Sequence, residues 1–105
     1  MKNNIQQAFD NFLAEANEKA YMNDDYKNGY HQGIEDVRCV FKQTDKTVDQ
    51  IRIALLRKRE TLSNHMLQKT IDKEDGWLDS DEHHFTLGTH DCIGDAFDSL
   101  RDVND

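Results

Sequence analysis

Residues 26–33, YKNGYHQG, hold two glycines one helical turn apart in a segment that otherwise has the pattern of an amphipathic helix. Each glycine destabilises a soluble helix by about 1 kcal/mol relative to alanine, so we expect a compensating contact that requires the absence of a side chain. The usual contact is the close approach of another helix, and contact between a ligand and bare backbone is the alternative. We therefore predict a helix over about residues 25–43 that packs closely against a second helix at Gly29 and Gly33. Its apolar stripe consists of Tyr26, Tyr30, Gly33, Val37 and Phe41.

Helical patterns also precede and follow this segment, and the chain contains no proline and only five glycines. Apolar residues spaced by three and four predict a first helix over residues 3–22, followed by a break and an N-cap at Asn23-Asp24-Asp25. A capping box at residues 47–50, TVDQ, opens a third helix. The apolar stripe of this helix shifts near Ser63-Asn64, which predicts either a kink or a junction of two helices.

The C-terminal third begins with a connecting loop, which we predict over about residues 74–89. A final helix follows over about residues 91–103, where apolar residues again recur at helical spacing. No segment alternates convincingly over the length of a strand. The sequence therefore predicts an all-α fold, a small bundle of four or five helices that forms a single domain, residues 1–105.

The net charge of the chain, −8, is unevenly spread. Residues 70–105 carry eleven Asp and Glu against two Lys and Arg, whereas residues 47–69 carry five basic residues against two acidic ones. An acidic balance argues against direct nucleic-acid binding, because phosphates need cations, and it favours a basic protein partner. No apolar run approaches the ~20 residues of a membrane span and no signal segment opens the chain, so we expect a cytoplasmic protein without membrane contact.

A cluster of zinc-type ligands lies in residues 83–92, HHFTLGTHDC. Thiolate and imidazole are preferred zinc ligands, and a structural site takes four ligands in tetrahedral geometry. In an extended segment before the last helix, His90 and Cys92 would point the same way, and the helix N-terminus would lower the pKa of the thiol. Asp36 and Cys39 lie about one turn apart on the second helix. We predict a structural zinc that staples the last helix to the second, held by Asp36, Cys39, His90 and Cys92.

Other interpretations of these residues stay open. His83 or His84 is the first substitute for Asp36 in the ligand set. Free cysteines often behave as small buried hydrophobes, in which case the histidines are ordinary loop residues. A catalytic metal would make the protein a small metal-dependent hydrolase, although no accompanying motif supports that activity. The basic run Arg57-Lys58-Arg59 is either a solvated helix face or a contact for phosphates or an acidic partner.

Acidic residues are concentrated in the C-terminal third. One group surrounds Trp77: Asp72, Glu74, Asp75, Asp79, Asp81 and Glu82. A second group recurs at spacings of four, three and four along the predicted last helix and forms one anionic ridge. Spaced carboxylates can imitate a phosphate backbone and occupy a cationic groove, and the alternative is that they serve solubility alone. The candidate partner-binding surface is this ridge: Asp91, Asp95, Asp98 and Asp102.

In size, acidity, helical character and lack of catalytic motifs, the chain resembles the small proteins that phages and mobile elements encode against host defences. Its nearest approach to a motif is Tyr26-x-x-Gly29-Tyr30-x-x-Gly33. Anti-CRISPR proteins are the best-known group, and since they share no common fold or signature, no functional residue carries over from them. The resemblance implies a non-enzymatic inhibitor that binds a basic nucleic-acid-handling protein, such as a CRISPR-associated nuclease, in the host cytoplasm. A helical regulatory subunit that self-associates through the glycine-bearing helix is a further alternative.

Overall fold

The structure, a computed structural model, describes residues 2–43, 46–72 and 76–103, and the regular elements of these residues are all helical. Helix α1 spans Lys2–Glu18, α2 spans Asp24–Phe41, α3 spans Val48–Ile71 and α4 spans Asp81–Ser99, with a 3₁₀ turn at Trp77–Asp79 before α4. The predicted all-α class is confirmed, with four helices in the part of the chain described. None of these helices is both long enough and apolar enough to cross a membrane.

Side-chain caps fix where α2 and α3 begin. The side-chain oxygen of Asn23 accepts a hydrogen bond from the backbone N–H of Tyr26 at 2.8 Å, which occupies one of the donors left free at a helix start. The capping box of α3 is complete, because Thr47 and Gln50 each accept a hydrogen bond from the backbone N–H of the other. Both predicted helix starts are confirmed, and α3 then continues as one helix past Ser63, so the predicted junction of two helices is wrong.

The connection before α4 is much shorter than predicted. Helix α4 begins at Asp81, so most of the loop expected over residues 74–89 is helix, while residues 74 and 75 lie outside the described part of the chain. The Ser80 hydroxyl caps α4 by accepting a backbone N–H of the first turn at 3.1 Å. Gly88 and Thr89 lower the helix propensity of this segment, but both residues pack against α2, and that tertiary contact outweighs the local preference.

The end of α4 is held by a side chain from α3. Helix α4 ends at Ser99, short of the predicted end near residue 103. The guanidinium of Arg52 donates hydrogen bonds to the backbone carbonyls of Leu100 and Val103, the second at 2.6 Å. The carbonyl of Leu100, the C-cap, lies at the negative end of the helix dipole, so a cation placed there stabilises the helix end, and the bond to Val103 holds the segment that follows.

Helices α2 and α4 lie side by side and parallel. Helix α3 runs antiparallel to α4, since Arg52 reaches the end of α4 while the ring of His65 lies 3.5 Å from the carboxylate of Glu82 near its start. Helix α1 packs on the pair as well, and Lys19, just beyond its end, forms an ion pair with Asp95 at 3.1 Å. The parallel direction of α2 and α4 follows from three contacts, in which residue numbers increase along both helices. These contacts are Asp25 with Asp81, Gly29 with Phe85, and Gly33 with Cys92.

The close approach predicted from the glycines is confirmed. A methyl group on Gly29 would lie 2.6 Å from the carbonyl carbon of Phe85 and closer still to its oxygen. A methyl group on Gly33 would lie 2.6 Å from Cβ of Cys92, so both glycines let α4 approach the backbone of α2. Gly88 plays the same part from the side of α4. The buried core surrounds this contact and includes Phe9, Phe12, Ala16, Tyr30, Val37, Val40, Ile51, Leu55, Ile93, Ala96 and Leu100.

Candidate functional site

Two of the predicted zinc ligands, His90 and Cys92, lie inside α4 rather than in an extended segment before it. Residues two apart on an α-helix point about 200° away from each other, so these side chains leave opposite sides of α4. The expectation that they share a direction is therefore wrong. Nδ1 of His90 lies 3.1 Å from a carboxylate oxygen of Asp91, whereas Cys92 is fully buried against Gly33.

The thiol of Cys92 is held in its neutral form. Burial raises its pKa, and the negative charges of Asp95 and Asp36 raise it further. The predicted lowering of this pKa is wrong because α4 begins at Asp81, about three turns before Cys92, so the thiol is not at a helix N-terminus. Metal binding and nucleophilic attack both use the thiolate. In this fold Cys92 packs as a small buried group against Gly33, and its role as a metal ligand stays a prediction.

The other two predicted ligands, Asp36 and Cys39, lie on α2. Cys39 is exposed and follows Gly33 by six residues, so it points about 120° away from the Gly33 direction and lies about 9 Å further along the axis. Among the residues that the structure describes, no group of three or more His, Cys, Asp or Glu side chains is placed to hold a metal ion. The fold thus does not bring the four predicted ligands together, and zinc binding stays a prediction.

The two histidines considered as substitutes for Asp36 make other contacts. The ring of His83 packs against buried Trp77 with 5.0 Å between ring centroids. Nδ1 of His84 lies 3.1 Å from the side-chain amide of Asn23, the residue that caps α2. Both histidines therefore help to position the start of α4, one against the 3₁₀ turn and the other against the start of α2.

The predicted ridge of aspartates is partly occupied by contacts within the protein. Asp91 accepts a hydrogen bond from the hydroxyl of Tyr26 at 2.6 Å, and Asp95 accepts one from the hydroxyl of Tyr30 at 2.7 Å. Asp95 also forms the ion pair with Lys19. Burial and these carboxylates raise the pKa of both tyrosines, so the hydroxyls remain donors at neutral pH. These two aspartates join α4 to α2.

The remaining half of the ridge lies near the end of α4. Asp98 is exposed and forms an ion pair with Arg101 at 3.0 Å. Asp102 is exposed as well, beyond the end of the helix. The ridge therefore offers two accessible carboxylates, one of which already has a cationic neighbour.

A denser group of carboxylates lies where α2 and α4 begin. Because these helices are parallel, their acidic first turns come together: Asn23, which caps α2, contacts His84 at 3.1 Å, and the carboxyl groups of Asp25 and Asp81 lie close enough to interact. A hydrogen bond to Asp81 when Asp25 is protonated raises the pKa of Asp25, and desolvation and the charge of Asp81 add to the shift. The positive ends of two helix dipoles offset part of the repulsion among these groups. We refer to this group as the acidic end: Asp24, Asp25, Asp79, Asp81 and Glu82.

Only part of the acidic end was found from the sequence. Asp79, Asp81 and Glu82 belong to the acidic residues predicted around Trp77, whereas Asp24 and Asp25 were interpreted only as a helix start. A usable signal was present, because Ser80-Asp81-Glu82 is also a capping residue followed by an acidic first turn. That the two helix starts meet depends on the parallel packing of α2 and α4, which local patterns do not reveal.

No family model, no curated protein and no solved structure matches this chain.

Proposed function

We propose that the protein is a non-enzymatic inhibitor that binds a basic surface of a nucleic-acid-handling protein, such as a CRISPR-associated nuclease, through its acidic end. The observation that carries the proposal is that the acidic first turns of α2 and α4 meet, with Asn23 3.1 Å from His84 and Asp25 beside Asp81. Two carboxyl groups this close repel each other once both are ionised, and an arginine or lysine of a partner placed between them would be attracted by both. Binding of a basic partner therefore relieves a repulsion that the free protein carries.

The distribution of charge favours a basic partner as well. Four of the five residues of the acidic end are exposed, and the chain as a whole has a net charge of −8. Such a surface attracts a cationic partner over a distance of about 8–10 Å at moderate ionic strength, and the attraction weakens as salt is added. Closely spaced carboxylates also fit a groove that is built to receive phosphates. Inhibition would then follow from occupation of a nucleic-acid site.

The acidic end is a better candidate for the contact than the predicted ridge. A partner that engaged Asp91 or Asp95 would compete with the hydrogen bonds that these residues accept from Tyr26 and Tyr30. At the acidic end, Asp25 instead faces the carboxyl group of Asp81, and a cation of the partner would relieve the repulsion between the two. The ridge enters the proposal only through Asp98 and Asp102, which lie at the other end of α4.

Two double variants of equal charge change test the proposal. Asp25→Asn with Asp81→Asn removes two charges from the acidic end, and Asp98→Asn with Asp102→Asn removes two from the far end of α4. Binding to a purified CRISPR-associated nuclease would be measured by surface plasmon resonance at several salt concentrations. We expect the first variant to weaken binding by at least about 10-fold, mainly through slower association, and the control to change it by less than about 3-fold.

The first variant also removes the repulsion between Asp25 and Asp81, so its melting temperature should not fall, and weaker binding cannot then be ascribed to unfolding. A larger effect of the control pair would assign the contact to the ridge instead. If the wild-type protein shows no salt-dependent binding to any basic nuclease tested, the proposed function is refuted.

A structural zinc is a separate proposal, and the donor chemistry of the cysteines and histidines is what supports it. Elemental analysis of the native protein, with thermal melts before and after addition of a chelator, tests it. One equivalent of zinc and a lower melting temperature after chelation would support a structural zinc. Absence of zinc and an unchanged melt would remove it without affecting the inhibitor proposal.

A further inference from the structure

Helix α3 has a second apolar face on the side away from the core. Val48, Ile51 and Leu55 are its buried residues. Seven large hydrophobic side chains are exposed among the described residues, and four of them belong to this one helix. At 100° per residue, these four fall within about 60° of one another and point away from the direction of Leu55. They are Ile53, Leu56, Leu67 and Ile71, with exposed fractions of 48%, 38%, 58% and 60%.

The order of residues along this face is symmetric. Ile53 and Leu56 form one apolar end, Leu67 and Ile71 form the other, and exposed Glu60 and Asn64 lie between them on the same side. A two-fold contact between identical chains requires that residue i meets residue j and that j meets i in return. A face with apolar ends and a polar centre meets this requirement when two copies pair antiparallel.

We propose that this face of α3, defined by Ile53, Leu56, Glu60, Asn64, Leu67 and Ile71, is a self-association surface whose occupant is a second copy of the chain. A two-fold axis near residue 62 places Ile53 opposite Ile71 of the second copy and Leu56 beside Leu67 of the second copy. Glu60 then meets Asn64 of the second copy, and the side-chain amide donates to the carboxylate at two equivalent places. A polar pair inside an apolar helix contact fixes the register of the helices.

The face itself carries one charged side chain, that of Glu60, so little like-charge repulsion opposes the pairing of two acidic molecules through it. Residues 47–69, which include most of α3, are the segment in which basic residues outnumber acidic ones, so contact through α3 keeps the acidic parts of the copies apart. The acidic end lies near the C-terminal end of α3, where His65 contacts Glu82. Because His65 is three residues from the two-fold axis and points away from the apolar face, antiparallel pairing leaves the two acidic ends on the outer sides of the dimer.

The size of the face indicates a weak dimer. Residues 53–71 span about 27 Å of helix, and a helix is about 10–12 Å wide, which gives a footprint of roughly 300 Å². Stable complexes bury about 800 Å² on each partner. We therefore expect reversible association with a dissociation constant of about 10–100 μM, rather than an obligate dimer. The inference goes beyond the proposed function, because the dimer contact lies on α3 whereas the proposed partner binds the acidic end. The acidic ends remain accessible in such a dimer.

Sedimentation velocity over about 1 μM to 1 mM protein tests the proposal. The wild-type mass should rise from 12.3 kDa toward twice that value as concentration increases. Leu67→Glu should weaken association by roughly 100-fold, because the substitution occurs twice across the two-fold axis. The matched control Met22→Glu places the same charge at a residue that is 65% exposed and not on α3, and should leave association unchanged. Circular dichroism verifies that both variants are folded, as expected for exposed positions.

Substitutions at Asn64 test the register. Asn64→Lys places an ammonium opposite Glu60 of the second copy and should tighten the dimer, whereas Asn64→Asp places two carboxylates together and should weaken it. A wild-type protein that stays monomeric at about 1 mM would overturn the proposal. So would equal effects of Leu67→Glu and Met22→Glu, or shifts of the same direction in the two Asn64 variants.

Discussion

Replacing Gly29 by alanine is a direct test of the close contact between α2 and α4. The added methyl group would lie 2.6 Å from the carbonyl carbon of Phe85 and closer still to the carbonyl oxygen. Both atoms belong to the backbone of α4, so no side-chain rotation relieves the clash. The helices must move apart until this distance approaches the 3.4 Å of ordinary contact.

Two effects of opposite sign set the magnitude of the change in stability. Alanine favours a helix over glycine by about 1 kcal/mol. Overpacking in a core destabilises by about 1–3 kcal/mol, and the rigid backbone obstacle at Phe85 places this site at the upper end. Separation of the helices also weakens the hydrogen bond from Tyr30 to Asp95, at a further cost of about 1 kcal/mol. We expect a net loss of about 2–3 kcal/mol, a large share of the ~5–15 kcal/mol that stabilises a typical domain.

The matched control is Gly94→Ala, which makes the same chemical change within α4. The nearest atom to the added methyl group there is a guanidinium nitrogen of Arg59 at 3.4 Å, the far end of a flexible side chain. Helix propensity then dominates, and we expect a gain of about 0.5–1 kcal/mol. Urea unfolding followed by far-UV circular dichroism should show the midpoint lower by about 1–2 M for Gly29→Ala and higher by about 0.5 M for Gly94→Ala. Changes of the same sign and size in the two variants would refute the reasoning.

Three further predictions concern the contacts around α4. Arg52→Ala removes the hydrogen-bond donors to the carbonyls of Leu100 and Val103, just beyond α4, and should lower the free energy of unfolding in urea by about 1–3 kcal/mol. Arg52→Lys should restore only part of this loss, and full restoration would contradict the role of the planar guanidinium. Tyr26→Phe removes the donor to Asp91 and should lose about 1–2 kcal/mol at pH 7. The fold raises the pKa of Tyr26 above its usual value near 10, so the tyrosine ionises first in the unfolded chain. The stability of the wild-type protein should therefore hold below about pH 10 and fall above it. Above about pH 10, the urea midpoint of Tyr26→Phe should fall less steeply than that of the wild type. Iodoacetamide should modify Cys39 alone in the native protein and Cys92 only after unfolding, and mass spectrometry counts the modified cysteines. Zinc bound to both thiolates would instead protect Cys39 until a chelator is added.

The sequence was sufficient where a structural signal is local. The N-cap at Asn23 and the capping box at Thr47 each involve a side chain and a backbone group three residues apart, so their presence in the sequence largely determines the contact. The glycines of α2 were also informative, because their cost to a helix implies a compensating contact. Their partner, however, was not identifiable, since the segment around Gly88 is a weak helix former until α2 packs against it.

The zinc prediction depended on a backbone conformation that the chain does not adopt. His90 and Cys92 would share a direction in an extended segment but leave opposite sides of a helix. The side chains of His90 and Cys92 are therefore close in the sequence but point in opposite directions, because residues 81–90 are helical. The acidic end shows the converse, because Asp25 and Asp81 are far apart in the sequence and meet only through parallel packing.

The contact that joins α2 to α4 also controls how closely the charges of the acidic end are spaced. Asp25 and Asp81 each lie one turn before the residues of the Gly29–Phe85 contact, so the separation of the two carboxyl groups follows the separation of the helices at the glycine. Gly29→Ala should therefore move the two carboxyl groups apart, lower the pKa of Asp25 toward its usual range and weaken binding to a basic partner. Arg52→Ala acts at the opposite end of α4 and should reduce stability without spreading these carboxylates. If binding by the folded forms of both variants falls equally, stability and not carboxylate spacing governs the interaction.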